Sequence, residues 1–516
     1  MIQKIISNRI NLVLIIPFLL GLLTVFSFAP FNYFFLNFII FPIFFLILCY
    51  VNKKSKNKYR KKPYLINLFF IGYFFGVGFF LSGTHWISYS LTFDENFKIL
   101  IPISLILLPL FLGLFFGLTT LLVGPYIREN LASILIFSSA FSFSDFIRSK
   151  ILTGFPWNLW SYSFSNFIEF LQILNLIGFF AFNLFIITSF CIPLLLFFKN
   201  NKKLNMIFSI FWLILIFSNY IYGSATINSN KYLKINNSVN IKIVNPNFDL
   251  NYNLQLEQVE NLFKRLVKYS DPKTEKETIF IWPEGVFAGY ELSELYRFKK
   301  IIRDNFSSKH KIIFGINTKD NKSNGYFNSL VAIDNNFKVI YKYNKKKLVP
   351  FGEFLPFENL LHKIGLKKIT QGHGSFTKGK INNNYQINKL NILPLICYEI
   401  IFPDFIQKAE PTTNLIINIS EDAWFGNSIG PQQHFAKAIF RSIEGNLYLA
   451  RSANKGTSAF INNKGQVLKK LNSSEPGSIE MSIPVVKNKI KNKNDLIFFI
   501  LLFTYTSIFF TLRKKF

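Results

Sequence analysis

The chain has 516 residues, half of them hydrophobic, and a formal net charge of +30. It is too long for one ordinary soluble domain and too apolar for two, so part of it is expected to lie in lipid. Its lysines cluster beside apolar segments and do not form an aromatic-studded basic domain. This disfavours nucleic acid as the partner and favours a membrane surface.

Apolar segments of spanning length dominate the first 223 residues, and one more stands near the C-terminus. The first also has features of a secretory signal peptide, with Ser27-Phe28-Ala29 as a small-x-small cleavage site. A retained helix is favoured, because another apolar run begins within a few residues and about 20 apolar residues are what a spanning helix needs. The eight predicted transmembrane helices are 12–28, 34–51, 65–81, 99–123, 131–146, 170–198, 206–223 and 496–512.

Lysine and arginine predict the orientation of these helices, because both are enriched in cytoplasmic loops. With the N-terminus inside, the strongly basic segments all lie in the cytoplasm: 53–62, 199–203 and 513–515. Arg148 and Lys150 fall outside in this scheme and count against it. The scheme places both termini in the cytoplasm and the polar stretch 224–495 on the periplasmic or extracellular face.

The polar stretch predicts one layered α/β domain, because short apolar runs alternate with amphipathic segments. Helical periodicity is clearest at 254–269 and 433–445. The runs predicted as strands are 241–244, 278–282, 311–316, 329–334, 339–343, 390–397, 415–419 and 457–462. The predicted domains are a seven-helix transmembrane bundle at 1–223, an extracytoplasmic domain at 224–495, and a last helix with a basic cytoplasmic tail at 496–516.

Three cysteines occur, and Cys397 is the only one in the polar domain, so it has no disulfide partner there. It ends an apolar run in the sequence NILPLICYEIIFPD, where a buried strand would turn. A thiol there either packs, as free cysteines commonly do, or reacts, as an unpaired thiol in an oxidising compartment can. The five histidines are widely spaced, and no metal site is predicted.

Further polar groups follow predicted strands, where site residues of layered α/β domains collect. Glu284 desolvated in a pocket could take the proton of the Cys397 thiol. Lys345 and the backbone N–H of Tyr398 could stabilise the oxyanion of a tetrahedral intermediate, with Glu353 keeping the lysine charged and in position. Each charge alone is also compatible with solvated surface, and their joint placement is what favours a site for acyl transfer.

Four segments of the polar domain resemble motifs of the carbon-nitrogen hydrolase (nitrilase) superfamily, in order and rough spacing: WPEG, YNKKKLVPFGEFLP, ICYE and SEDAWFGNSIGPQQH. With the apolar block ahead of them and the single helix behind, the whole chain resembles the apolipoprotein N-acyltransferase family. The segments FAPF and GFPW resemble that family's membrane motifs. The resemblance implies a multi-pass membrane domain plus an αββα sandwich, in the bacterial inner membrane with the sandwich in the periplasm.

The resemblance also implies a ping-pong reaction in which Cys397 takes an acyl chain from a phospholipid as a thioester. The α-amine of the S-diacylglyceryl-cysteine of an apolipoprotein then accepts that chain. Glu284 is implied as general base, Lys345 as oxyanion stabiliser and Glu353 as their support. Residues implied to shape the substrate pocket are Tyr398, Glu399 and Trp424. No added cofactor is needed, because the phospholipid ester supplies the leaving group.

Three positions depart from the family's pattern. Gly285 stands where a hydroxyl residue usually follows WPE, and Glu421 stands where Asn usually precedes the Asp of the NDAWF-like motif. The segment 244–247 reads VNPN in place of VQGN. The residues proposed for catalysis are all retained, while Glu421 adds a charge near the pocket and could alter substrate preference.

Two other functions compete with acyl transfer. A membrane-tethered amidase or nitrilase would hydrolyse a small amide with the same Glu-Lys-Cys triad, but has no evident use for eight transmembrane helices. A transporter or membrane scaffold would need buried charges along a pathway. The predicted helices carry almost none, Asp145 being the main exception.

Overall fold

The computed structural model describes residues 8–58, 63–230, 237–320, 325–358, 375–380, 384–485 and 495–514. The chain divides into two compact units. Met1–Asn228 with Lys493–Phe516 form the first, here the helical unit, and Ser229–Asn492 form the second, here the sandwich unit.

The helical unit is built from apolar runs whose backbone polar groups are satisfied within helices, as a lipid environment requires. Its α-helices are Ile16–Leu23, Asn37–Lys58, Pro63–Thr84, Ile101–Val123, Leu131–Lys150, Ile168–Leu171, Leu174–Ile177, Phe179–Cys191, Lys202–Asn230 and Leu496–Lys514. Within the described ranges, seven helical stretches are long and apolar enough to cross a membrane, and Asn11–Ser27 is a shorter apolar stretch ahead of them. The predicted class, seven apolar helices before the sandwich and one after it, is confirmed.

The structure shows how the first predicted transmembrane helix packs and where the sixth is interrupted. The first packs closely into the unit: a Cβ on Gly21 would lie 2.1 Å from the carbonyl oxygen of Phe75, so only glycine allows this approach. The prediction of one helix over 170–198 is wrong. Gly178, with a φ of +81°, breaks that segment, and the long helical stretch is Phe179–Leu196.

A buried ion pair lies inside the helical unit. Arg148 donates to Asp145 Oδ1 at 2.9 Å and to the carbonyl oxygens of Phe155 and Asn158 at 2.6 and 3.2 Å. Asn183 donates to the second oxygen of Asp145 at 3.0 Å. Arg148 is therefore a compensated internal charge and not a loop charge, so it does not count against the predicted orientation.

The sandwich unit consists of two six-stranded sheets, ordered β12-β1-β2-β3-β4-β5 and β11-β10-β9-β8-β7-β6. The strands are β1 Ser238–Asn245, β2 Thr278–Ile281, β3 His310–Lys319, β4 Tyr326–Ile333, β5 Val339–Asn344, β6 Tyr385–Ile387, β7 Leu390–Ile396, β8 Leu415–Glu421, β9 Tyr448–Asn454, β10 Ser458–Ile461, β11 Val467–Leu471 and β12 Gly477–Pro484. All eight predicted strands are present. Four strands were not predicted: β6, β9, β11 and β12.

Successive side chains of a strand point to opposite faces of its sheet, and this alternation separates an inner core from an outer one. Ile279 and Ile281 of β2 join a core between the two sheets, whereas Phe280 and Trp282 join a second core on the outer face. The unit's α-helices are Leu256–Ser270, Leu292–Leu295, Lys299–Asn305, Asp404–Gln407 and Gly430–Gly445. Both predicted long helices are present, and the outer core includes Phe263 of the first. This is the αββα sandwich that the motifs implied.

The strand directions place several polar groups beyond carboxyl ends. β1, β2 and β3 run parallel to one another, as do β7, β8 and β9. Glu284 follows β2 and Cys397 follows β7 directly, while Lys345 follows the antiparallel β5. Side chains beyond such strand ends are well placed to converge on a site.

Replacing Asp145 by Asn should lower the free energy of unfolding by about 3 to 5 kcal/mol, because the Arg148 guanidinium is left buried and uncompensated. Reversible denaturation in detergent measures this loss. As the matched control, Glu95→Gln breaks the exposed pair with Lys98 and should cost less than about 1 kcal/mol. Equal effects of the two variants would contradict a stabilising internal pair.

Candidate active site

Lys345 is the centre of a buried, hydrogen-bonded cluster. Its Nζ donates to Glu353 Oε1 at 2.8 Å and lies 3.5 Å from Glu284 Oε1. Asn328 Nδ2 donates to the same two oxygens at 2.7 Å each. Burial lowers the pKa of Lys345, but the adjacent Glu284 and Glu353 carboxylates outweigh burial and raise the pKa above its ordinary value. Lys345 is therefore a permanent cation between two carboxylates.

The backbone after β5 sets the position of Lys345. Its N–H donates to the carbonyl oxygen of Asn328 at 2.8 Å, which extends the pairing of β4 and β5. The loop then closes on itself, because Val349 N–H donates to Glu353 Oε2 at 2.9 Å and Glu353 N–H donates back to Val349 O at 2.8 Å. This reciprocal pair holds the Glu353 carboxylate beside the lysine.

Cys397 occupies the first position after β7 in a left-handed backbone conformation, with a φ of +47°. Non-glycine residues rarely adopt this conformation, and where they do it is commonly at sites of function. The thiol is 8% exposed. Burial raises its pKa and the Glu284 carboxylate adds to this, while Lys345 opposes both. The resting sulfur is thus a neutral thiol, and it must give up its proton in order to react.

Glu399 connects the loop of Lys345 to the turn of Cys397. Its Oε1 accepts from Tyr343 Oη at 2.9 Å and from the backbone N–H groups of Lys346 and Lys347 at 2.7 and 3.2 Å. Its Oε2 accepts from Ile396 N–H at 2.8 Å. Burial raises the pKa of Glu399 to about 6, although the backbone donors oppose this rise. Glu399 is fully buried, and its predicted role in shaping the substrate pocket stays a prediction.

A second buried network lies behind the turn of Cys397. His434 Nε2 lies 3.2 Å from the carbonyl oxygen of Cys397, and its Nδ1 lies 3.0 Å from Asp422 Oδ1. Arg451 donates to Asp422 Oδ2 at 2.7 Å. Burial and the Arg451 guanidinium lower the pKa of His434 to about 4. In Asp422 the Arg451 guanidinium and the contact with His434 overcome burial and lower the pKa to about 2. A neutral imidazole carries one ring proton, so His434 donates either to Asp422 Oδ1 or to the carbonyl oxygen of Cys397, and its ring links the Asp422 segment to the Cys397 turn.

Two aromatic residues predicted to shape the pocket follow strand ends. Tyr398 is largely buried, with its ring edge-on to Phe402 at 5.1 Å. Trp424 is half-buried in the short turn Asp422–Phe425, 6.3 Å from the ring of Tyr252. Their contact with substrate remains a prediction.

Several residues of this region were not predicted. Tyr252 packs against Trp424, and its pKa is raised by burial and by the nearby carboxyl groups of Glu421, Glu284 and Glu353. Asn328 and Arg451 are polar residues inside strands β4 and β9, and a polar side chain in an otherwise apolar strand is the signal that could have revealed them. Among the described residues, no group of three or more His, Cys, Asp or Glu could hold a metal ion.

Two family models match the chain. The apolipoprotein N-acyltransferase N-terminal domain matches residues 20–192, and the carbon-nitrogen hydrolase domain matches residues 249–487. The apolipoprotein N-acyltransferase of Rickettsia typhi is 32% identical over 478 residues, which cover 91% of this chain and 92% of the relative. The chain belongs to the apolipoprotein N-acyltransferase family. It is therefore an acyltransferase with a nitrilase-superfamily domain.

A second relative in this family is the apolipoprotein N-acyltransferase of Rhodopseudomonas palustris. It is 29% identical over 493 residues, which cover 91% of this chain and 89% of the relative. Among solved structures, a CN-hydrolase superfamily protein of Xanthomonas campestris is 14% identical with a TM-score of 0.36, covering 48% of this chain and 91% of that one. An amidase mutant of Nesterenkonia sp. AN1 is 16% identical with a TM-score of 0.36, covering 51% and 96%. The family assignment rests on the relatives and not on these structures.

The pKa of Glu399 predicts how acyl transfer depends on pH. Its rate should fall as the pH falls through about 6, because the protonated carboxyl loses acceptor capacity toward its four donors. A carboxyl whose pKa is raised on folding binds its proton more tightly in the folded state, so its stabilising contribution is present below the ordinary pKa and is lost as pH rises through about 6. This group therefore does not unfold the protein in acid. Rates and denaturation midpoints at matched pH separate the two effects.

The Tyr343→Phe variant tests whether Glu399 causes the loss of rate at low pH. Removing the Tyr343 hydroxyl takes one hydrogen bond from the charged carboxylate of Glu399 and so raises the pKa of that carboxyl group. The pH at which the rate is half-maximal should therefore move upward. Tyr290→Phe is the control, because that hydroxyl donates to the carbonyl oxygen of Leu254. If the rates of both variants fall at the same pH as that of the wild type, a group other than Glu399 causes the loss of rate.

Proposed function

We propose that this chain transfers a fatty-acyl chain from a membrane phospholipid to the N-terminal S-diacylglyceryl-cysteine of an apolipoprotein, through a thioester on Cys397. The observation that carries the proposal is a single thiol at a strand end of the same unit that holds the Glu284, Lys345 and Glu353 cluster. Supporting it are relatives named apolipoprotein N-acyltransferase that match over nine-tenths of the chain.

In the first half-reaction, Glu284 takes the proton of the Cys397 thiol as the sulfur attacks the ester carbonyl carbon. The oxyanion that forms is stabilised by the Lys345 ammonium and the backbone N–H of Tyr398. Collapse breaks the ester C–O bond, and Glu284 returns its proton to the leaving lyso-phospholipid oxygen. The product is a neutral acyl thioester.

In the second half-reaction, the neutral α-amine of the acceptor attacks the thioester carbonyl. Glu284 takes a proton from the nitrogen, the C–S bond breaks, and the thiolate of Cys397 regains a proton to restore the resting enzyme. Glu353 keeps Lys345 charged throughout, since its carboxylate contacts Nζ at 2.8 Å. Tyr398, Glu399 and Trp424 shape the pocket in this proposal.

Two-tailed donors and triacylated products explain why the enzyme has a helical unit. Exposing acyl chains to water costs about 0.8 kcal/mol per CH₂, so both substrate and product stay in the bilayer. The proposed domains are a seven-helix transmembrane bundle at 1–223, a periplasmic catalytic domain at 224–495, and a C-terminal helix with a cytoplasmic tail at 496–516. Both termini lie in the cytoplasm of a bacterium with this enzyme in its inner membrane.

Cys397→Ala should abolish acyl-enzyme formation, lowering transfer by about 10³-fold or more, because no other group can carry the chain. Intact-protein mass spectrometry after incubation with phospholipid, without acceptor, should show one acyl group on the wild type, released by hydroxylamine. Cys191→Ala is the matched control and should acylate normally, because Cys191 is buried in the helical unit.

The same assay distinguishes the competing hydrolase. A protein that is not acylated by phospholipid but turns over a small soluble amide would be an amidase, and the proposed transfer would be wrong. Acylation that persists in Cys397→Ala would instead overturn the thioester mechanism.

The orientation can be tested with epitope tags. A tag inserted in the exposed segment 472–476 should bind antibody in intact spheroplasts, because the proposal places this segment in the periplasm. A tag after residue 516 should bind only after permeabilisation. The reverse accessibility would overturn the proposed orientation.

A further inference from the structure

Gly285 follows Glu284 directly and has a φ of +76°, a conformation that side chains disfavour. A Cβ built on it would lie 2.6 Å from Glu421 Oε2 and 3.0 Å from Glu421 Cγ. The space beside position 285 is therefore filled by the side chain of Glu421. Two of the three positions that depart from the family's sequence pattern therefore lie side by side.

Glu421 connects the two segments that flank it. Its backbone N–H donates to Glu284 Oε2 at 3.1 Å, which orients the carboxylate proposed as the base. Its side-chain Oε1 accepts from Ala423 N–H at 3.0 Å and caps the short turn that carries Trp424. A displacement of Glu421 would thus move both Glu284 and Trp424.

The other oxygen of Glu421 is held by a fixed donor. Asn454 Nδ2 donates to Glu421 Oε2 at 2.8 Å. The amide of Asn454 cannot flip without loss, because its Oδ1 accepts from Phe248 N–H at 2.8 Å and its Nδ2 also donates to Phe248 O at 2.9 Å. The Glu421 carboxyl therefore cannot easily move aside for a new atom at position 285.

Glu421 acts here by its shape more than by its charge. Its side chain is buried, and its two donors, Asn454 and the backbone of Ala423, are uncharged. Burial raises its pKa well above the ordinary value, and the charges of Glu284 and Asp422 add to the rise against the two hydrogen bonds. A neutral carboxyl can fill this space beside Glu284 without adding a negative charge.

We infer that Gly285 and Glu421 form one positioning unit for Glu284, in which the absence of a side chain at 285 makes room for the longer side chain at 421. This inference rests on the proposed function, because the group being positioned is its base. Neither residue touches the reacting atoms in this inference. The unit aims Glu284 and steadies the turn of Trp424.

A double-mutant cycle tests the unit with wild type, Gly285→Ala, Glu421→Asn and the double variant. Asn keeps a capping oxygen but is one methylene shorter, so it vacates the space that a Cβ at 285 needs. The assay is the single-turnover rate of thioester formation from phospholipid, with its apparent KM. Gly285→Ala should lower the maximal rate by about 10- to 100-fold at nearly constant KM, since overpacking displaces the base. In the Glu421→Asn background the same substitution should cost about tenfold less.

Gly465→Ala is the matched control. Gly465 also has a positive φ, +80°, but a Cβ there would meet Ile443 Cδ1 at 2.5 Å and not Glu421. Its cost should be the same in both backgrounds. If Gly285→Ala lowers the rate by the same factor in the wild-type and Glu421→Asn backgrounds, the inference is overturned.

Thermal unfolding of the same proteins keeps the two proposals apart. If folded wild-type protein forms no thioester, the proposed function fails. The coupling between positions 285 and 421 is then measured from the thermal unfolding midpoints of the four proteins. If the double variant recovers the thermal unfolding midpoint or the yield of folded protein, the result supports the positioning unit. If the losses of the two single variants simply add in the double variant, the result contradicts it. If the wild type forms thioester and the losses are additive, only the positioning unit fails.

Discussion

A single buried ammonium, on Lys345, balances carboxylates from two separate segments of the sandwich unit. Without that cation, the carboxylates of Glu284 and Glu353 would repel each other in a desolvated space. The order of the sheet makes the contact possible, because β2, β4 and β5 carry or precede Glu284, Asn328 and Lys345. Asn328 completes the cluster by donating to both carboxylates. The charge balance and the strand order therefore depend on each other.

Cys397, the proposed nucleophile, follows a strand of the other sheet, and the buried carboxyl group of Glu399 sets its position. Glu399 accepts from Tyr343 on β5 and from Ile396 at the end of β7, so its hydrogen bonds join the two sheets. His434 Nε2 lies 3.2 Å from the carbonyl oxygen of Cys397. The two halves of the candidate site are thus connected by the polar contacts of buried side chains.

Much of the fold could be predicted, because apolar runs with β-branched residues specify buried strands through local pattern. The unpredicted β9 carries Arg451 within a buried strand, and this charge is balanced by Asp422, a pairing that the local pattern does not reveal. The break at Gly178 interrupts a continuous apolar run whose composition predicts one helix. Asn328 and Tyr252 could not be placed in the site, because their neighbours depend on strand order, which is a nonlocal property.

The neutral, buried thiol of Cys397 also bears on the chemical durability of the protein. Peroxides and alkylating agents react with thiolates, and their attack follows exposure. A sulfur kept protonated by burial and by the Glu284 charge presents little of the reactive form until the base removes its proton. Burial therefore lowers the reactivity of a cysteine that has no disulfide partner. A sulfur that stays protonated until a base removes its proton is also less open to irreversible oxidation.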